Sequence, residues 1–156
     1  MLRIAANDNI FTAAPARSFG EAISVCLGKY ATFTGRASRS EFWYFMLFMA
    51  LVLIAASLVD VGLLGFDPQG AGAVLLLAHL GLTIPALSVA FRRLQDTDRS
   101  GSWALLYLAV TFAYGPAIAR LDEIGVMLLS VAVLIWVVTF LVWLCRKSTP
   151  GPNRFG

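Results

Sequence analysis

The chain has 156 residues, a net charge of +3, and a composition that is 59% apolar and only 13% charged. A soluble domain of this length carries about a quarter charged residues to cover its surface, so a water-solvated globule is excluded and lipid must face most of the chain. A mean hydropathy of +0.79 agrees.

Residues 1–18 hold Asn7, Asp8 and Asn9 where a secretory signal needs a continuous apolar core,. They read as a flexible amino-terminal segment, which leaves the first helix as its own targeting signal. Next, Phe19, Ala22, Ile23, Cys26, Leu27, Tyr30 and Phe33 recur at three- and four-residue spacing. That period predicts an amphipathic helix over 19–33, with Ser18 and Glu21 as a capping box at its start. It is too short and too polar on its other face to span. The expected place is the headgroup region of the inner leaflet, the alternative a helix packed against the ends of a bundle.

Four apolar runs follow, over 42–65, 71–91, 103–119 and 124–145. Only helices satisfy their own backbone in lipid, so each is expected to be a transmembrane helix. Ser38, three residues before Glu41, predicts an N-cap for the first, and Pro85 predicts a kink in the second,. The short connections 66–70 and 120–123 make two antiparallel hairpins. A longer polar segment, 92–102, separates them, and 146–156 is a polar tail. The expected fold is an all-α membrane protein: one domain over 19–145, four transmembrane helices as two antiparallel hairpins, preceded by an interfacial amphipathic helix.

Orientation follows from the basic residues. Arg3, Arg17, Lys29, Arg36, Arg39, Arg92, Arg93, Arg99, Arg146, Lys147 and Arg154 fall on one side of the four runs, against Arg120 alone on the other. Positive residues stay inside, which predicts both termini in the cytoplasm of a bacterial inner membrane. These charges flank the apolar runs and form no stripe, so nucleic acid is excluded and anionic lipid headgroups are the expected partner. Small residues on the spans (Ala55, Ala56, Gly72, Gly81, Ala109, Ala113) suit helix contacts with a protein partner or a second copy,. Cys26 and Cys145 are far apart and His79 is the one histidine, so no disulfide framework, metal centre or cofactor is expected,. A weak echo, R-S-x-x-W, recurs at Arg39–Trp43 and Arg99–Trp103, as parallel repeats or the shared needs of helix entry would produce,.

Three segments carry a resemblance. Phe33-Thr34-Gly35-Arg36-Ala37-Ser38-Arg39-Ser40-Glu41-Phe42-Trp43, Arg92-Arg93-Leu94-Gln95-Asp96 with Arg99-Ser100-Gly101, and Gly151-Pro152-Asn153-Arg154-Phe155-Gly156 resemble in order and spacing the YhaH-like family. These are small bacterial inner-membrane proteins of unknown function. The resemblance covers roughly 20–156. It departs at Gln95, where the family usually has histidine, and in the longer spacing from Gly101 to its aromatic residue, Trp103. It implies a bacterial inner-membrane protein and no activity, and a metal or proton role of that histidine is not carried over.

Two groups of residues could carry a function. Arg36, Arg39, Glu41, Arg92, Arg93, Asp96, Asp98 and Arg99 gather at one membrane interface. Arginine forks bind carboxylates or phosphates in pairs, so the cluster either locks the hairpins together or docks an anionic partner. Asp60 and His79, about 7 and 12 Å from the outer ends of their spans, belong to one half of the bilayer. They are expected either to bond two helices or to line a proton or ion path. Asp96 and Asp98, two residues apart in a polar segment, are a weak metal signal, and no phosphate loop or catalytic triad is present. The expected function is non-enzymatic: a scaffold, accessory subunit or regulator acting through a basic cytoplasmic face. A small oligomeric transporter using Asp60 and His79 is the alternative.

Overall fold

The computed structural model describes residues 14–65, 72–151 and 153–155; the predicted turn 66–70 and residues 1–13 lie outside them. Five helices and no strand occur among the described residues: α1 Phe19–Gly28, α2 Arg39–Leu64, α3 Ala73–Asp96, α4 Trp103–Ile118 and α5 Glu123–Cys145. Three of them, α2, α3 and α5, are long and apolar enough to cross a membrane. α4 has 16 residues, about 24 Å at 1.5 Å per residue against a hydrocarbon core of about 30 Å.

The helices begin where the residues allow. Ser38 Oγ accepts the Glu41 amide at 3.2 Å, the expected N-cap of α2, and the Asp122 carboxylate does the same for Gly125 at the start of α5 (2.9 Å). At α1, Glu21 reaches back to the Ser18 amide (2.9 Å). α1 is shorter than its apolar period suggested, closing at Gly28 rather than Phe33, and it buries Ala22 and Cys26 against the bundle. Part of its apolar face thus meets protein, since α1 packs on α2 and α3, while Phe19 and Leu27 stay exposed. Residues 14–18, expected to be flexible, include Arg17. Its amide donates to Ser40 Oγ (2.8 Å) and its guanidinium to Glu41 (3.1 Å), which ties the approach to α1 onto α2.

α3 differs from expectation at both ends. At its carboxyl end it runs five residues past Phe91, through Asp96. Hydropathy stops at Arg92, but Arg92, Arg93 and Asp96 find buried partners, so the helix continues through them. At its amino end, Gly72 is the N-cap residue and has no side chain to cap with. Asp60 of α2 supplies the cap from across the hairpin, its oxygens accepting the Val74 and Leu75 amides at 3.1 and 2.8 Å. A Cβ on residue 72 would lie 2.0 Å from that carboxylate, so glycine is required. Pro85, within α3, has no N–H for the Gly81 carbonyl four residues back. The Tyr30 hydroxyl, arriving from beyond α1, donates to that carbonyl at 2.6 Å.

Glu41 against Arg92 at one end and Asp60 against Val74 at the other make α2 and α3 antiparallel. Tyr107 stacked on Phe140 and Tyr114 bonded to Ser130 do the same for α4 and α5. α3 touches each of α2, α4 and α5. The core lies toward the charged end, around Phe42, Phe45, Val89, Leu94, Phe140 and Leu144. Elsewhere large apolar side chains face outward: Phe112 is 73% exposed, Leu77 70% and Leu58 68%. Such a surface is at home in hydrocarbon, not in water. The two R-S-x-x-W segments are not equivalent, since Arg39 and Trp43 both lie in α2 whereas Arg99 precedes α4.

Candidate interaction face at the charged end of the bundle

Arg92 and Arg93 are neighbours on α3, and successive residues on a helix diverge by about 100°. They therefore serve different partners. Arg92 turns to α2 and α1, where its guanidinium pairs with Glu41; Arg17 reaches the other oxygen of the same carboxylate at 3.1 Å, and the Cys26 thiol lies 3.9 Å from it. Glu41 is in the first turn of α2, where the helix dipole favours a negative charge,. Burial and the Glu41 carboxylate push the Cys26 thiol up to about 11, so it is a neutral packing group at physiological pH.

Arg93 turns the other way and closes α5. It donates to the backbone carbonyls of Leu144 (2.9 Å), Ala37 (3.4 Å) and Arg146, and pairs with Asp96 one turn along α3. Helix-terminal carbonyls have no partner of their own and carry partial negative charge, which suits a guanidinium. Asp96 is also held by Arg36 at 2.8 Å and by the Ser148 hydroxyl. Arg36 in turn donates to the carbonyls of Gly151 (2.7 Å) and Thr149 (2.6 Å), and Thr149 returns its amide to the Asp96 carbonyl. Gln95 donates to the Phe33 carbonyl (3.0 Å), and Asn153 donates to the Gln95 carbonyl (2.8 Å). The tail is thus folded back onto the end of α3. Gly101 sits so close to Phe91 that a Cβ there would come within 2.3 Å of its ring.

The eight residues expected at this interface therefore divide. Arg36, Glu41, Arg92, Arg93 and Asp96 are spent inside the protein, with Arg92, Arg93 and Asp96 fully buried. Asp98 pairs with Arg154 at the surface (3.1 Å). Arg99 lies 4.7 Å over the Trp143 ring, and partial burial with the nearby charge of Arg146 holds its guanidinium below the ordinary value. Arg39 is exposed on the first turn of α2, as are Arg146 and Lys147 beyond α5, and none of these three meets a carboxylate among the described residues. Sequence reading missed Arg17, Cys26, Ser148, Thr149 and Asn153 as members of the network. Asn153 lay in a recognised motif, Arg17 among the one-sided cations and Cys26 on the apolar face of 19–33; Ser148 and Thr149 gave no signal.

The second expected pair is not brought together. Asp60 is 7% exposed and caps α3. His79 lies beyond that cap on α3 and shares no hydrogen bond or ion pair with Asp60 among the described residues. It lines an apolar groove of about 400 Å³ between α2, α3, α4 and α5. No group of three or more metal-ligating side chains occurs among the described residues.

Comparison with known proteins gives the chain's family. A family model described as "Protein of unknown function (DUF805)" matches residues 30–156, which contain all three motifs. The chain belongs to that family. It is similar to inner membrane protein YhaI of Escherichia coli K12, 37% identical over 130 residues that cover 83% of this chain and 87% of the relative. It is also similar to inner membrane protein YhaH of the same strain, 34% identical over 131 residues covering 83% and 88%. No solved structure matches. Membership in DUF805 and three apolar helices of spanning length make this a membrane protein. Within it, the DUF805 motifs before α2, at the end of α3 and in the tail form one interlocked assembly through Arg36, Asp96 and Asn153.

Proposed function

We propose that the chain is a non-enzymatic inner-membrane protein, a scaffold, accessory subunit or regulator, that presents a basic cytoplasmic face to anionic headgroups and to a protein partner. α4 is its fourth crossing, entered at Trp103 in the headgroup layer, so both termini lie in the cytoplasm. The names of its relatives support the inner membrane, and the one-sided distribution of Lys and Arg supports the cytoplasmic termini,. One observation carries the reading. Glu41 and Asp96 are each claimed by two arginines, while Arg39, Arg146 and Lys147 stand outside that network and face outward. The face is left cationic once its internal pairs are made.

The test is extraction of the full chain from native membrane in mild detergent, beside the triple variant Arg39→Glu, Arg146→Glu, Lys147→Glu. The wild type is expected to retain a protein partner and bound anionic lipid, and the variant, equally folded, to lose both. An unchanged set of companions in the variant would overturn the reading.

A further inference from the structure

The groove that holds His79 does something the basic face alone does not. Its floor is α3; Trp43 of α2 stands on one side and Leu141 of α5 on the other, both substantially exposed, so it opens sideways. On α3 the lining runs from Ala90 to His79, about 16 Å of helix rise. The hydrocarbon core is about 30 Å thick, so this is close to the depth of one leaflet. Its volume, about 400 Å³, lies within the range of roughly 300–1,000 Å³ typical of small-molecule sites. Apart from His79 and Thr83, the lining is apolar or aromatic.

Charge marks one end of this groove. Arg39 lies three residues before Phe42 and four before Trp43, and both line the groove. Those spacings place Arg39 on the same stripe of α2, directly on the cytoplasmic side of them. On the opposite wall the lining reaches Leu144, α5 ends one residue later at Cys145, and Arg146 follows as its exposed C-cap residue. The nearest carboxylates, Glu41 and Asp96, are buried under their own arginines. An apolar slot one leaflet deep, with two outward arginines at its headgroup end, matches an amphiphile with one negative charge above a hydrocarbon chain.

We infer that this groove binds a single anionic phospholipid of the cytoplasmic leaflet, one acyl chain lying between α2 and α5 and the phosphate held between Arg39 and Arg146. The inference rests on the cytoplasmic placement of the basic face. It adds a defined, stoichiometric site to a diffuse attraction.

The experiment titrates the delipidated full chain in detergent with phosphatidylglycerol, with phosphatidylcholine of the same chains, and with inorganic phosphate. Stoichiometry is read by native mass spectrometry and binding by tryptophan fluorescence. One phosphatidylglycerol per chain is expected. Arg39→Gln should weaken it roughly fivefold, the contribution of one basic residue at a membrane surface, and leave phosphatidylcholine unaffected. Ala86→Phe fills the slot and should abolish the bound lipid. Leu141→Trp, at an exposed position, narrows the opening without challenging the fold and should weaken binding too. Equal binding of the two lipids, competition by inorganic phosphate alone, retention of lipid by both groove variants, or a second copy of the chain in the groove would overturn the site. If the groove variants still adsorb to anionic vesicles, the site falls and the basic face stands. If the wild type shows no preference for anionic lipid at all, both fall.

Discussion

At the scale of single residues, burial decides what an arginine is worth. Arg92 pairs with Glu41 out of contact with solvent, so Arg92→Ala leaves a buried carboxylate with only Arg17 against it. Uncompensated buried charges of this kind cost about 3–5 kcal/mol. Arg39→Ala, at an exposed position, should stay within about 0.5 kcal/mol. Thermal unfolding in one detergent separates the two, and equal losses would refute the division of the cluster drawn above. Cys26 gives a pH-dependent check. Its native thiol titrates near 11 against an ordinary value of 9.0, so the folded chain holds a proton that the unfolded chain releases. Below about 9 both states are protonated and the group contributes nothing to pH dependence; between 9 and 11 the wild type should lose stability relative to Cys26→Ala. A wild-type-minus-variant difference that stays flat over that window would contradict the buried placement. Charged residues could be assigned to one interface from sequence, because their positions beside apolar runs are visible. Which of them are consumed was not visible, because Arg36 and Asp96, or Arg17 and Glu41, meet across long stretches of chain that hydropathy does not relate.

At the scale of elements, two helices are completed by side chains from elsewhere. Asp60 caps α3 in place of the side chain Gly72 lacks, and Tyr30 supplies the donor that Pro85 withholds from Gly81. A double-mutant cycle tests the second. Tyr30→Phe should cost about 0.5–1.5 kcal/mol in the wild-type background, the net value of one hydrogen bond. In a Pro85→Ala background the residue-85 amide can return to Gly81, and the same change should cost almost nothing. An equal cost in both backgrounds would mean that Tyr30 acts through packing alone. The four apolar runs located helices α2 to α5 within a few residues, because lipid demands continuous apolar runs,. Sequence reading ended α3 too early and α1 too late for one reason: periodicity and hydropathy register a side chain's polarity, not whether a partner neutralises it. Arg92, Arg93 and Asp96 extend a helix that hydropathy closes. Tyr30 and Phe33 continue an apolar period although the helix has ended, because they pack on α3 from an irregular segment.

At the scale of the whole molecule, the network, the groove's cationic end and the tail all belong to one end of the bundle, and their meaning depends on which compartment that end faces. The native cysteines provide the assay. Cys145, at the end of α5, is exposed, whereas Cys26 is buried; in Cys26→Ala the single remaining thiol therefore reports on the charged end. Arg120, between α4 and α5, is exposed at the opposite end of that antiparallel pair. A membrane-impermeant maleimide should label Cys145 only in inverted vesicles, and Arg120→Cys in a cysteine-free background only in right-side-out ones. That pattern requires α5 to cross. Because α4 joins the same loop to the charged end with 16 residues, it requires α4 to cross as well, its short span made up by local thinning of the bilayer or by the aromatic and basic residues at its ends. If both positions label from one side, α4 and α5 form a re-entrant pair. The charged end would then still be a single assembly, but the chain would cross the membrane through α2 and α3 alone.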